Sequence, residues 1–136
     1  RLTNLQAAIG LAQLERIEII HENRRAYEDL YRKLLNEPEF EFQADLDHRH
    51  RITWLVSLLL KNSNNRDRFI LLLKDNAIEA RPFFYLLSQM NIYKKYAKKE
   101  SPIASSISSR GISLPAYESL KSMDEIEMII NKIRKV

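Results

Sequence analysis

The chain has 136 residues, 45% of them hydrophobic and 29% charged, with a net charge of +4, which fits one soluble domain large enough to bury a core. It has no cysteine, so a disulfide framework, a thiolate metal site and a cysteine nucleophile are all excluded. Two glycines and four prolines are little punctuation, which favours long helices over a many-turned β fold.

Thr3, with Gln6 three residues on, forms a capping box. From there Leu5, Ile9, Ala12, Ile17, Ile20, Tyr27, Leu30, Tyr31 and Leu34 keep a near-helical period as far as Asn36-Glu37-Pro38. One long helix over residues 1–36 is expected, a rod on the order of 50 Å and longer than a domain of this size is wide. Such a rod overhangs and needs a further body to lie against. Gly10 in its interior costs roughly 1 kcal/mol relative to alanine. With Ala7, Ala8 and Ala12 it makes a face of small residues that another backbone can approach, in a tight helix crossing or in a contact with another domain or subunit. Mixed charges on the same helix (Glu15, Arg16, Glu18, Glu22, Arg24, Arg25, Glu28, Asp29) read as a solvated face.

Glu39–Gln43 places Phe40 and Phe42 on one side, as in a half-buried strand, and Asp45–Arg51 is a charged loop. Ile52–Leu60 is apolar on both faces and suits a central strand. Its apolar run Leu55–Leu60, broken by Ser57, is far too short to span a bilayer. Without a membrane span or a signal peptide pattern, the cytoplasm is the default location. Lys61–Asn65 is a turn and helix cap. Arg66–Asn76 is a helix with Phe69, Leu72 and Leu73 inward and Asn76 as its stop, and Ile78–Arg81 is a short third strand ended by Pro82. Phe83–Ile92 is irregular and rich in apolar and aromatic residues, and Tyr93–Lys99 reads as a short basic helix. Pro102–Arg110 is a helix with proline in its first turn and Gly111 beyond its end. Ile112–Leu114 is a brief extended piece closed by Pro115. Ser122 and Glu125 make a second capping box, opening a last helix with the stripe Ile126, Ile129, Ile130 and Ile133 and with Lys132, Arg134 and Lys135 at its end, where cations suit the dipole. The order implies an α+β domain: a small, mostly antiparallel three-stranded sheet with helices packed on one face and a long N-terminal helix.

Few residues suggest chemistry by themselves. His48 and His50 could be joined by Asp45 or Asp47 at a metal, but the spacing is that of a solvated loop. His21 sits among charges in mid-helix. The serines lie in no nucleophile elbow, and no glycine-rich phosphate loop exists. Lys94, Lys95, Lys98 and Lys99 interleave with Tyr93 and Tyr96, the best local case for a weak nucleic-acid patch, although lysines on a short helix usually serve solubility. Arg81-Pro82-Phe83-Phe84-Tyr85 is the exception: a cation at a strand end followed by three aromatics outside any period is good material for a ligand wall, or else for core packing.

Four landmarks stand in one order: the opening Arg1–Leu14 (Arg-Leu-Thr-Asn-Leu-Gln-Ala-Ala-Ile-Gly-Leu-Ala-Gln-Leu), the tryptophan-bearing segment Trp54–Leu60, Asn76–Leu87 around Arg81-Pro82-Phe83, and Arg110-Gly111-Ile112-Ser113-Leu114-Pro115. In this order they resemble the DegT/DnrJ/EryC1/StrS family of pyridoxal-phosphate-dependent sugar aminotransferases, its perosamine-synthetase branch in particular. The resemblance implies the C-terminal small domain of a type I aminotransferase fold. Residues 1–36 would be a helix bridging to a large cofactor-binding domain absent from the chain, and 37–136 the small domain. It implies pyridoxal phosphate as cofactor of the longer parent, a nucleotide-sugar substrate with glutamate as amino donor, a homodimer, no nucleic acid and no membrane. The chain alone would not transaminate. Arg1 would reach the cofactor region, and Arg81, Phe83, Tyr85, Ser88 and Tyr93 would face the sugar. Ser88 stands where many members have histidine, Ala77 where glycine is usual, and Leu86 and Asn91 where prolines are usual. Two other readings compete: a non-catalytic interaction module, expected to carry no bare apolar flank over residues 2–20, and a weak nucleic-acid-binding domain.

Overall fold

The computed structural model describes residues 2–62, 65–97, 99, 101–116 and 123–134. Arg1, Lys98, Ser122 and Lys135, named above, lie outside the described residues.

The long rod expected over 1–36 is two helices, α1 (Asn4–Leu14) and α2 (Ile17–Leu34). The capping box forms as expected: Gln6 N–H donates to Thr3 Oγ1 at 3.3 Å and Thr3 N–H to Gln6 Oε1 at 2.9 Å. The break comes at Arg16, whose φ of −114° and ψ of 6° leave the helical well, so that its N–H turns to the Gln13 carbonyl, three residues back, at 3.2 Å. The two helices differ in what they bury. α2 contributes Ile20, Tyr27, Glu28 and Tyr31 to the interior, whereas α1 buries nothing. Leu5 is 72% exposed, and Ile9, Leu11 and Leu14 are also bare, so the stand-alone module with no apolar flank over 2–20 does not describe this molecule.

Four strands, one more than expected, form the sheet: β1 (Phe40–Phe42), β2 (Val56–Leu60), β3 (Arg81–Pro82) and β4 (Gly111–Leu114), in the order β1-β2-β4-β3 and antiparallel throughout. The extra strand is the piece at Ile112–Leu114, which lies centrally and is buried along its whole length. β2 is central as expected but starts at Val56. β3, expected over Ile78–Arg81, is only Arg81–Pro82: the Ile78 N–H goes to the Leu73 carbonyl at 2.8 Å in the turn after the preceding helix, and Pro82, lacking an N–H, sits on an edge strand that tolerates it.

Register sorts the faces. Phe40↔Leu60, Phe42↔Leu58, Val56↔Leu114 and Leu58↔Ile112 point to one side, where Tyr31 and Leu35, Leu73, and Ile126, Ile130 and Ile133 complete the core. These come respectively from α2 and its end, α3 (Arg66–Asp75) and α5 (Met123–Ile133). Tyr31 is fully buried and its hydroxyl donates to the Pro115 carbonyl at 3.2 Å. The other side carries Leu59↔Gly111 and Ser57↔Ser113, with the two serine hydroxyls 3.1 Å apart. There the end of α4 (Pro102–Arg110) and Phe83 close over Gly111: a Cβ at that position would stand 2.6 Å from Phe83 Cβ and 2.8 Å from the Ile107 carbonyl oxygen.

Helix α3 ends where Asn76 predicts, in a Schellman turn. Ala77 N–H donates to the Lys74 carbonyl at 2.9 Å and Ile78 N–H to the Leu73 carbonyl at 2.8 Å. The turn puts Ala77 at φ 60°, in the left-handed region. Tyr93–Lys99, expected as a helix, contains a single 3-10 turn at Lys94–Tyr96, too short for helical propensity to act.

Candidate functional site

Helix α2 presents Arg24, Glu28 and Asp29 to the segment that enters β2, Asp29 Oδ1 lying 3.6 Å from Arg51 Nη2. Glu28 is 4% exposed. Its Oε1 accepts from Arg32 Nε at 3.0 Å and Nη2 at 2.8 Å, and its Oε2 accepts from Thr53 Oγ1 at 2.6 Å with Arg51 Nε 3.0 Å away. Two guanidiniums and a hydroxyl so compensate one buried carboxylate, the condition under which such burial is tolerated. Arg51 also pairs with Asp45. Arg32 donates further to the Gln43 carbonyl at 2.8 Å and lies 5.1 Å over the Phe42 ring. One helical turn before Glu28, Arg24 Nη1 donates to the Trp54 carbonyl at 2.7 Å. Residues 51–54 are therefore tied to α2 at two points.

Trp54, held there and 64% exposed, stacks on Phe84 with ring centroids 6.0 Å apart and an interplanar angle of 19°. Phe84 meets Phe83 edge-on at 5.3 Å. The backbone of this segment is also fixed: Phe83 N–H donates to the Gly111 carbonyl at 2.8 Å and the Phe84 carbonyl accepts from Ser108 Oγ at 2.9 Å. A cleft of about 330 Å³ opens between Arg24, Trp54, Arg81, Phe84 and Ser113. Arg81 is exposed there, and Glu79 Oε1 accepts from its Nη2 at 2.6 Å and its Nε at 3.1 Å.

Arg81, Phe83, Tyr85, Ser88 and Tyr93 fall on one stretch of chain, yet they do not ring one cavity. Arg81 lines the cleft just described, Phe83 a hollow of about 530 Å³ with Leu59 and Ile107, and Ser88 another of about 890 Å³ with Lys94, Ser105 and Arg110. Tyr85 and Tyr93 stand exposed. The arrangement can hold a polar ligand against an aromatic wall. Among the described residues the buried polar side chains are Glu28, Thr53, Ser108 and Ser113, a set without a lysine to serve as nucleophile. His48 and His50 are exposed, and no group of three metal-ligating side chains occurs among the described residues. Lys95 Nζ lies 5.0 Å from the Tyr96 ring centroid, and both Tyr93 and Tyr96 remain exposed. Arg24 and Glu28 are the site residues that sequence reasoning missed. The signal was the only tryptophan of the chain, 30 residues from the arginine that holds its carbonyl.

The model of the DegT/DnrJ/EryC1/StrS aminotransferase family matches residues 1–134. The chain belongs to this family. Among curated relatives it is 36% identical over 137 residues to the protein named GDP-perosamine synthase of Vibrio cholerae, covering 98% of this chain and 37% of that protein. To the protein of the same name in Escherichia coli O157:H7 it is 37% identical over 122 residues, covering 90% of this chain and 33% of the relative. The chain thus spans little more than a third of the length of these family members. Among solved structures, a family aminotransferase from Brucella abortus superposes with a TM-score of 0.85 at 26% identity, over 99% of this chain and 36% of that one. PseC of Helicobacter pylori, an aminotransferase, gives 0.88 at 20% identity over 99% of this chain and 37% of that one, a likeness of fold alone. Among the described residues no helix is long and apolar enough to cross a membrane.

Proposed function

We propose that this chain is the smaller, C-terminal lobe of a pyridoxal-phosphate-dependent aminotransferase acting on a nucleotide-linked keto-sugar, of the perosamine-synthase kind, and that it is not catalytic alone. The observation that carries the reading is the 36% identity across 98% of the chain to a protein named GDP-perosamine synthase. In this reading the segment up to residue 36 bridges to a large lobe and 37–136 form the small domain. The exposed Leu5, Ile9, Leu11 and Leu14 of α1 support it, because an apolar flank of this kind is what a packed neighbour covers.

The described residues do not by themselves build a seat for pyridoxal phosphate, since none of their buried polar side chains is a lysine. The Schiff-base lysine and the acid facing the pyridinium nitrogen belong to the rest of the protein. This chain supplies binding and orientation instead. Arg81, Phe83, Tyr85, Ser88 and Tyr93 face the nucleotide-sugar, and Arg1 reaches the cofactor region. The amino donor is glutamate, the assembly a homodimer and the setting the cytoplasm.

The test uses the full-length protein. It is offered a GDP-linked 4-keto-6-deoxy-sugar with glutamate, and the amino-sugar is read by mass. Cofactor absorbance together with product formation is the expected result, with Arg81→Met raising KM for the sugar about tenfold, the loss of one charge-assisted contact. A protein without cofactor absorbance that leaves the keto-sugar unchanged would refute the reading.

A further inference from the structure

Glu28 and Arg24 are far in sequence from Arg81–Tyr85, and the contacts described give them no direct hold on it. They nonetheless reach that segment through a short series of contacts. Glu28 holds Thr53 at 2.6 Å and Arg51 at 3.0 Å, and Arg24 holds the Trp54 carbonyl at 2.7 Å. The Trp54 ring then lies parallel to Phe84, which shares the segment with Arg81, Phe83 and Tyr85. On its other sides that segment is fixed through its backbone, at Gly111 and Ser108, through the pairing of β3 with β4, and through the Phe83 side chain packed over Gly111. The indole is the side-chain support on the cleft side.

We propose that Glu28 and Arg24 are positioning residues for substrate binding. By fixing residues 51–54 against α2 they set the plane of Trp54, and Trp54 sets the position of Phe84 and with it the Arg81–Tyr85 wall of the cleft. Glu28 accepts directed hydrogen bonds from Arg32 and from Thr53, with Arg51 beside it as an ion pair whose Nε makes no hydrogen bond, and the directed Thr53 bond holds the 51–54 backbone more closely than an apolar contact of equal area would. Burying such a group gains little stability over a well-packed apolar set, so its value here lies in orientation. The inference rests on the substrate-facing role of Arg81–Tyr85 given under the proposed function.

The experiment is a double-mutant cycle in the full-length protein. Glu28→Gln keeps the volume but leaves Arg51 and Thr53 facing an uncharged amide. Phe84→Leu removes the stack without touching Glu28. Each single variant is expected to raise KM for the GDP-linked keto-sugar about fivefold with kcat within about twofold, and the double variant no further than the larger single effect, because both act through one contact. Measurements are made well below each variant's Tm, and Glu28→Asp is expected to recover part of the loss. The protein is also labelled with 5-fluorotryptophan, and the Trp54 resonance is assigned by its absence in Trp54→Phe. That fluorine resonance is expected to move in Glu28→Gln and in Phe84→Leu. A Trp54 resonance that stays in place in Glu28→Gln overturns the inference whether or not the protein turns over the sugar. KM effects that multiply in the double variant overturn it as well. A resonance that moves in a protein without transaminase activity keeps the Glu28–Trp54–Phe84 coupling and sinks the proposed function instead.

Discussion

Ala77 is the one non-glycine residue with positive φ among those described, at 60°. Its side chain is exposed, so replacing it by glycine removes a methyl that packs against nothing buried. An L-residue in the left-handed region loses roughly 1–2 kcal/mol to the clash of Cβ with the following carbonyl. Glycine gives back about 0.4–1 kcal/mol through the larger entropy of its unfolded chain. The difference leaves Ala77→Gly more stable by about 1 kcal/mol, or about 3–5 °C in Tm for a chain of this length. Urea unfolding followed by circular dichroism measures it. The midpoint should rise with the slope m unchanged, because the variant alters neither the core nor the surface exposed on unfolding. Ala77→Val should move the other way, since a β-branched residue fits the left-handed region worse. A midpoint at or below the parent's for Ala77→Gly would refute the reasoning, because it would mean that the turn between α3 and the strand edge is not held in this conformation.

Three further outcomes follow from the same geometry. Gly111→Ala has an ordinary backbone at φ −77°, so its cost is purely steric: the new Cβ would meet Phe83 Cβ at 2.6 Å and the Ile107 carbonyl at 2.8 Å. It should destabilise by about 1–3 kcal/mol and shift the Phe83 ring signals in NMR. Gly10→Ala meets nothing within 4 Å, and in the 136-residue chain it should stabilise α1 by roughly 1 kcal/mol, read from amide exchange over residues 4–14. In the full-length protein the same substitution should lower Tm if a second backbone packs on Ala7, Ala8 and Gly10. Tyr31→Phe should cost about 1 kcal/mol in thermal unfolding by leaving the buried Pro115 carbonyl without its donor.

Much of the fold was legible because its signals are local. The Thr3–Gln6 box, proline at the start of α4, Gly111 beyond its end and the isoleucine stripe of α5 each need only a few neighbouring residues to act. β4 was underestimated for the opposite reason. Ile112-Ser113-Leu114 becomes a fully buried central strand because it inserts between β2 and β3, and its pairing with β2 joins residues more than 50 positions apart. The break at Arg16 was hidden by the period itself: apolar residues on both sides keep nearly the same phase, and no glycine or proline marks the change of backbone.

The site shows the same division more sharply. Arg81-Pro82-Phe83-Phe84-Tyr85 announces itself by composition, whereas the α2 charges were read as a solvated face. For Arg25, exposed, that reading holds, and Asp29, exposed too, pairs at its edge with Arg51 at 3.6 Å. It fails for Glu28 because Thr53 and Arg51 arrive from another part of the chain and remove it from water. Helical position alone therefore does not separate a surface carboxylate from a buried one; the compensating partners do. The argument extends to α1 and α2. Both present apolar residues at helical spacing, but Tyr27 and Tyr31 join the core with β2, β4 and α5, while Leu5, Ile9 and Leu11 find no cover within this unit. A period tells which side of a helix is greasy; what that side meets is a property of whatever packs against it, and not of the helix's own sequence.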